Sequence, residues 1–177
     1  MSFAIPENVA KDFGLMAGEE IAEFGSSIGP YALICAKIVG PAGKIYAIDV
    51  QKDLLEHLRH DAERQGLKNI DYIWGDVEEL GGTKLKDNLV DVVLVANVFF
   101  QLEDKNGAIS EAKRLLRPGG RLILVDWTDS FGGLGPRPEV VFSPETADNL
   151  LSANGFTKIK SFTAGDHHYG LIFKKIA

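Results

Sequence analysis

Short apolar runs alternate along the chain with longer segments that are apolar on one side only. Four of these runs are rich in β-branched residues and bounded by Gly or Pro, which is typical of buried strands. They predict strands at residues 20–24, 44–49, 90–96 and 121–126, and a further run predicts a strand at 70–74.

The segments between these strands have helical periodicity. In residues 52–66, Leu54, Leu55 and Leu58 lie on one face and charged side chains lie opposite. The same reasoning predicts helices at 29–39, 76–80 and 103–116. Because strands and helices alternate, we expect a parallel sheet with helices on both faces.

The pattern changes after Trp127, where a Gly- and Pro-rich loop runs to Phe142. Two final strand-like stretches are separated by a tight turn at 164–166 and therefore predict a hairpin. The elements predicted after the loop are a helix at 143–155 and strands at 156–162 and 169–175.

These elements predict one α/β domain over residues 1–177. We expect a Rossmann-like, doubly wound, mostly parallel seven-stranded sheet, with the C-terminal antiparallel hairpin at one edge. A short N-terminal helix at 6–14 is expected to cover part of the substrate site. A chain of 177 residues with 45% hydrophobic and 25% charged residues is ordinary for one globular domain.

Charge and cysteine usage narrow the partners. A formal net charge of -6 without a dense Lys/Arg run disfavours nucleic acid. The longest apolar stretch, 92–100, is too short to span a bilayer, and no secretory leader pattern opens the chain. With a single cysteine, Cys35, no internal disulfide forms and a cytoplasmic location is expected. No His, Cys, Asp or Glu cluster has metal-ligand spacing, so we expect no metal.

The turn after the first strand, residues 23–29, leads directly into a helix. Glycines there let the backbone approach a ligand, although a tight turn alone also requires glycine. A dinucleotide fingerprint would place glycines at positions 25, 27 and 30, but Ser27 and Pro30 occupy the last two. The sequence therefore disfavours, without excluding, a nicotinamide cofactor.

Two acidic residues follow the next strands. Asp49 ends the second strand, where a carboxylate can accept hydrogen bonds from a ribose diol or cap the following helix. Asp76 follows the third strand and can cap the short helix predicted after it. Because the carboxyl ends of parallel strands share one edge of the sheet, both acids are expected beside the turn at 23–29.

These features together resemble the class I S-adenosylmethionine-dependent methyltransferases. Glu23, Gly25 and Gly29 match the acidic residue and two glycines of the first family motif, and Ser27 replaces the middle glycine. The resemblance is nearest to small bacterial and archaeal enzymes similar to the ubiquinone and menaquinone methyltransferases. It implies S-adenosyl-L-methionine as cofactor and S-adenosyl-L-homocysteine as product.

The resemblance also implies a set of contacts for each part of the cofactor. Asp49 would bind the ribose, and Val50 and Gln51 would border the adenine. Asp76 would meet the exocyclic amine of the adenine, the next backbone N–H would meet a ring nitrogen, and the residues after the fourth strand would face the methionine part. The expected cofactor-binding residues are Glu23, Gly25, Ser26, Ser27, Gly29, Asp49, Val50, Gln51, Asp76, Val77, Asn97 and Gln101.

Other segments restrict the methyl acceptor. Residues 116–120 match the family's Leu-x-Pro-Gly-Gly turn, whereas Val98 and Phe99 stand where enzymes that methylate bases or amide nitrogens carry two prolines. We therefore expect a small-molecule acceptor, apolar or aromatic, held by the loop 128–142. Trp127, Phe131 and His168 are the candidate acceptor contacts.

No catalytic residue is assigned, because the cofactor is already activated and the protein need only align donor and acceptor. Oligomeric state is left open. Two alternatives stand beside methyl transfer: an NAD-dependent oxidoreductase, and a non-catalytic sensor or partner subunit that binds S-adenosylmethionine.

Overall fold

A computed structural model describes residues 4–133 and 135–176. Its centre is a seven-stranded sheet with strand order β3-β2-β1-β4-β5-β7-β6. The strands are β1 (Glu20–Phe24), β2 (Lys44–Asp49), β3 (Ile70–Trp74), β4 (Val90–Ala96), β5 (Leu116–Trp127), β6 (Phe156–Thr163) and β7 (His168–Lys175). The α-helices are α1 (Pro6–Val9), α2 (Pro30–Val39), α3 (Lys52–Arg64), α4 (Lys105–Leu115) and α5 (Pro144–Ala153).

The sheet has the predicted doubly wound topology. The first five strands are parallel, and β7 runs antiparallel to both β5 and β6. The C-terminal hairpin is therefore present, but its antiparallel strand lies one position inside the sheet and β6 forms the edge. Lys158 and Lys160 flank a register shift in β6, and charges with irregular pairing discourage further strand addition at an edge.

Helices cover both faces of the sheet because β-strand side chains alternate between them. In β1, Ile21 belongs to a core cluster with residues of α1, α2 and α3, whereas Ala22 and Phe24 belong to a second cluster with residues of α4 and α5. Within the described residues, no helix is long and apolar enough to cross a membrane.

The predicted helix at 76–80 is wrong. The segment forms bends because the Asp76 carboxylate accepts a hydrogen bond from the backbone N–H of Glu78 at 2.9 Å, which closes a turn instead. The chain then folds back so tightly that a Cβ on Gly82 would lie 2.2 Å from the Asp76 carbonyl oxygen. A helix of that length has no room here.

This loop is tied to α4 by a buried carboxylate. Glu111 accepts hydrogen bonds from the backbone of Gly81 at 2.8 Å and from the guanidinium of Arg114 at 2.7 Å. Burial alone would raise the pKa of Glu111, yet its hydrogen bonds with Arg114 and Thr83 hold it below the ordinary value. The segment that carries Asp76 therefore has a fixed position relative to the sheet.

Three predicted boundaries also shift. The N-terminal helix breaks into α1 and a 3-10 turn, Ala10–Phe13, which ends at Gly14 in a left-handed conformation. Helix α4 begins after Asp104, whose side chain caps it by accepting from the backbone of Gly107. Strand β5 begins at Leu116 instead of 121, because Leu116 pairs with Val90 before a register shift.

Candidate cofactor site

A cavity of about 480 Å³ opens at the carboxyl ends of β1 to β4. This size is within the range of small-molecule sites, and the location is the usual one in open α/β sheets. Of the twelve residues expected to bind the cofactor, all except Gly29 line it.

The turn between β1 and α2 forms one wall of the cavity. Gly25 has φ +68°, and a Cβ there would lie 2.6 Å from Cγ2 of Val98. Ser27 takes a left-handed conformation as well, with φ 49°, which a glycine would adopt at less cost. Gly29 has φ +75°, and a Cβ on it would lie 2.2 Å from Cδ1 of Leu58, so this glycine is needed for packing against α3.

Asp49 holds this turn in place. Its Oδ2 accepts a hydrogen bond from the backbone N–H of Ser27, and its Oδ1 accepts one from Gln51, each at 2.9 Å. The residue before α3 is Gln51, and no side chain caps that helix. The alternative interpretation of Asp49 as a helix cap is therefore wrong, and its carboxylate both fixes the turn and lines the cavity.

Asp76 lies on the wall of the cavity that follows β3. One of its carboxylate oxygens, Oδ1, accepts a hydrogen bond from the backbone N–H of Glu78. Asp76 therefore caps a turn, and not a helix as the alternative interpretation had it. Both Asp76 and Val77 line the cavity. This wall and the wall of Asp49 come from neighbouring strand ends, β3 and β2, as the sequence predicts.

Three buried polar atoms on the cavity lining have no hydrogen-bond partner within the described structure: Oε2 of Glu23, the hydroxyl of Tyr31 and Oδ1 of Asn97. Burial raises the pKa of Glu23 to about 8, and the charge of Asp49 adds to the shift. Unpaired buried polar atoms are costly, and a bound ligand that hydrogen-bonds to them would remove that cost.

The charge of the lining selects the kind of ligand. Four carboxyl groups face the cavity, from Glu23, Asp49, Asp76 and Glu78, and no Lys, Arg or His among the described residues does. A cationic ligand is favoured there, whereas the two negative charges of a dinucleotide pyrophosphate would be repelled. S-adenosylmethionine, with its sulfonium and ammonium groups, fits this set of carboxyl groups, and NAD does not.

Asp126 is a residue that sequence reasoning missed. This fully buried carboxyl group ends the apolar part of β5 and accepts hydrogen bonds from the backbone N–H of Phe100 at 3.2 Å and Trp127 at 2.8 Å. Burial raises its pKa to about 7. The contact with Phe100 fixes the 3-10 turn Phe99–Gln101, which brings Gln101 to the cavity. An acid ending an apolar run was the available signal.

None of the three candidate acceptor contacts lines the cavity, and with His167 they form two ring pairs. The rings of Trp127 and His168 lie 4.1 Å apart, and Phe131 stacks on His167. Burial lowers the pKa of His168, so its imidazole is neutral at pH 7. Part of the loop packs against Trp127, since a Cβ on Gly135 would lie 2.6 Å from the Trp127 indole.

The rest of that loop divides between exposed and buried positions. Val140 is exposed, whereas Phe142 is buried and stacks on Phe99 at 5.3 Å between ring centroids. Leu134, also expected to contribute apolar surface, lies outside the described residues. Among the described residues, no group of His, Cys, Asp and Glu side chains is placed to hold a metal ion.

The methyltransferase domain family matches residues 22–124, which include the turn, Asp49, Asp76 and the end of β4. The chain belongs to this methyltransferase-domain family. Its fold is that of a SAM-dependent methyltransferase from Aquifex aeolicus, with a TM-score of 0.87 and 30% sequence identity, over 97% of this chain and 89% of that one. Membership in this family implies S-adenosylmethionine as the cofactor.

Curated relatives share the same domain. An arsenite methyltransferase of Aquipseudomonas alcaligenes is 32% identical over 132 residues, which is 68% of this chain and 38% of the relative. A ubiquinone/menaquinone biosynthesis C-methyltransferase of Hahella chejuensis is 29% identical over 116 residues, 65% of this chain and 45% of the relative. The match thus spans less than half the length of either relative.

Replacing Asp49 by Ala should weaken S-adenosylmethionine binding by about 1.5–3 kcal/mol, because the ribose loses a charged acceptor and the Ser27 N–H loses its partner. Isothermal titration calorimetry measures the change. Asp53→Ala removes an equal charge from the exposed first turn of α3 and should leave the affinity unaltered. Full affinity in a folded Asp49→Ala protein would contradict the assignment.

Replacing Gly25 by Ala should lower cofactor affinity at least about tenfold. The left-handed conformation costs an alanine about 1–2 kcal/mol, and the new Cβ also meets Val98 at the cavity wall. Gly18→Ala is the matched control, since Gly18 has φ +87° but a Cβ added there would have nothing within 4 Å. Stability should fall in both variants and affinity only in the first; equal affinities would place the ligand elsewhere.

Proposed function

We propose that the protein is an S-adenosylmethionine-dependent methyltransferase that acts on a small-molecule acceptor of apolar or aromatic character. The observation that carries this proposal is the acid-lined cavity at the carboxyl ends of the strands, with unpartnered oxygens of Glu23 and Asn97 on its lining. Its charge and its position in the family domain agree with an adenosyl ligand that carries a positive charge.

Different residues on the lining are suited to different parts of the cofactor. Asp49 is suited to the ribose hydroxyls, since a carboxylate can accept two hydrogen bonds from a diol. Asp76 and the backbone N–H of Val77 are suited to the adenine amine and a ring nitrogen. Glu23 and Asn97 offer acceptors to the methionine ammonium. In this arrangement the unpartnered oxygens of Glu23 and Asn97 each gain a donor.

Glu23, Asp49, Asp76 and Asn97 would hold the cofactor, which when bound would supply an activated methyl group to a nucleophilic atom of the acceptor. The protein's part is to hold donor and acceptor in line and to exclude water. Gln101 and Leu102, which follow β4, also line the cavity and would restrict the approach of the acceptor. An acceptor that is already nucleophilic requires no proton-transfer residue, and the proton displaced from a hydroxyl acceptor would leave to bulk water, so none is assigned.

Two features bear on the acceptor. The relatives include arsenite methyltransferases, but the only cysteine of this chain, Cys35, is buried in the core, and burial raises its pKa well above the ordinary value. The chain therefore lacks the accessible cysteines that a thiolate relay to arsenic would need. Nucleic-acid bases are disfavoured by the net charge of -6 and by Val98 and Phe99 after β4.

Calorimetric titration with S-adenosylmethionine and with NAD, followed by incubation with methyl-labelled S-adenosylmethionine and a panel of catechols, phenols and amines, tests the proposal. Binding of the first ligand alone and label transfer to an acceptor are expected. Firm binding without transfer to any acceptor would favour a sensor or partner subunit, and binding of NAD alone would favour an oxidoreductase.

Cofactor binding should release a proton from Glu23. With a pKa near 8 in the free protein, this carboxyl is mostly protonated at pH 7, and an adjacent cation favours its ionised form. Calorimetry at pH 7 in buffers of different ionisation enthalpy should show release of about one proton per site. Glu23→Gln should abolish most of this release; an unchanged value would show that Glu23 does not meet the cation.

A further inference from the structure

A second concavity adjoins the cofactor cavity. It is a groove of about 480 Å³ between the 3-10 turn Phe99–Gln101 and a later 3-10 turn, Pro138–Val140, in the loop after β5. Gln101 and Leu102 line both the groove and the cavity. A molecule in the groove therefore has one end beside the cofactor site.

The groove is mainly apolar, with balanced charge. Apart from Gln101 and two charged residues, its lining is Phe100, Leu102, Val140, Val141 and Phe142. Lys105 contributes the positive charge from α4, and Glu139 contributes the negative charge from the loop. Because the two charges cancel and the remaining surface is apolar or aromatic, the groove complements an uncharged aromatic ring better than an ion.

Hydrogen bonds fix both sides of the groove. On one side, the buried Asp126 accepts from the backbone N–H of Phe100 at 3.2 Å. On the other, the hydroxyl of Tyr169 donates to the carbonyl oxygen of Phe142 at 2.6 Å. Asp126 and Tyr169 are paired residues of β5 and β7, so the same point of the sheet holds both sides.

The ammonium group of Lys105 reinforces this arrangement. It donates to the Leu102 carbonyl at 2.6 Å and lies 5.7 Å from the centroid of the Phe142 ring. A cation in the first turn of α4 opposes the helix dipole, and such departures from local preference are expected where a side chain serves a site.

We infer that this groove is the acceptor subsite and that its occupant is an uncharged aromatic molecule. The inference rests on the proposed methyl transfer, because an acceptor must reach the cofactor and the groove shares Gln101 and Leu102 with the lining of the cofactor cavity. It transfers the acceptor contacts from Trp127 and Phe131 to the end of the loop, residues 139–142.

Nuclear magnetic resonance locates the occupant without requiring turnover. The protein loaded with S-adenosylhomocysteine is titrated with catechol, and amide shifts are followed. The largest changes are expected at 100–105 and 139–142. Changes centred on Trp127 and His168, or no saturable change, would overturn the assignment of the groove.

A blocking variant supplies the functional arm. Val140 is 40% exposed, so Val140→Trp can place an indole in the groove without disturbing the core. It should weaken catechol binding and raise the KM for catechol at least tenfold, with S-adenosylmethionine affinity unchanged. Ile159→Trp, at an exposed position on β6, is the matched control and should change neither. Equal behaviour of the two variants would overturn the inference.

Sarcosine serves as a zwitterionic probe of the same size class, which the pair Lys105 and Glu139 could otherwise attract. Saturable binding of sarcosine but not of catechol at the groove would overturn the aromatic class. Failure of the proposed function has a different signature: the protein then fails to bind S-adenosylmethionine or to transfer its methyl group to any acceptor, whatever the groove variants do.

Discussion

The carboxylate of Asp49 is the constraint on which the site depends. By accepting a hydrogen bond from the backbone N–H of Ser27, it closes a turn in which residues 25, 27 and 29 all have positive φ. That turn brings Gly25 against the side chain of Val98, just after β4, at a contact that leaves no room for a Cβ on residue 25. The shape of the cavity therefore follows from one hydrogen bond across neighbouring strands and from the absence of a Cβ.

Electrostatics then determine what the shape can hold. A cavity with four carboxyl groups and, in the described part of the chain, no basic side chain carries a cost that a cationic ligand offsets. Burial keeps Glu23 protonated at pH 7, which limits the repulsion from Asp49 until a cation arrives.

Much of the fold could be predicted because buried parallel strands and amphipathic helices leave strong local patterns. The helix at 76–80 failed because its outcome depended on Asp76 capping a turn and on Gly81 binding Glu111, which is 30 residues away. The order of the hairpin strands depended in the same way on pairing across the sheet, which no local pattern encodes. Local propensity is overridden where distant groups complete the hydrogen bonds.

For the site, the acids and glycines at the strand ends could be predicted from the sequence, since each lies at or just after the end of a strand. The contacts of Gly29 with Leu58, of Asp126 with Phe100 and of Tyr169 with the Phe142 carbonyl could not, because they join separate parts of the chain. Trp127 and Phe131, which were predicted as acceptor contacts because they are aromatic and close to a strand end, lie outside the lining of the cofactor cavity.

A crystal structure with S-adenosylhomocysteine tests the central claim most directly. The account predicts the product in the cavity at the carboxyl ends of β1 to β4, with its ribose hydroxyls on Asp49 and its amino group beside Glu23. A product bound outside this cavity, or bound within it with the ribose turned away from Asp49, would contradict the account.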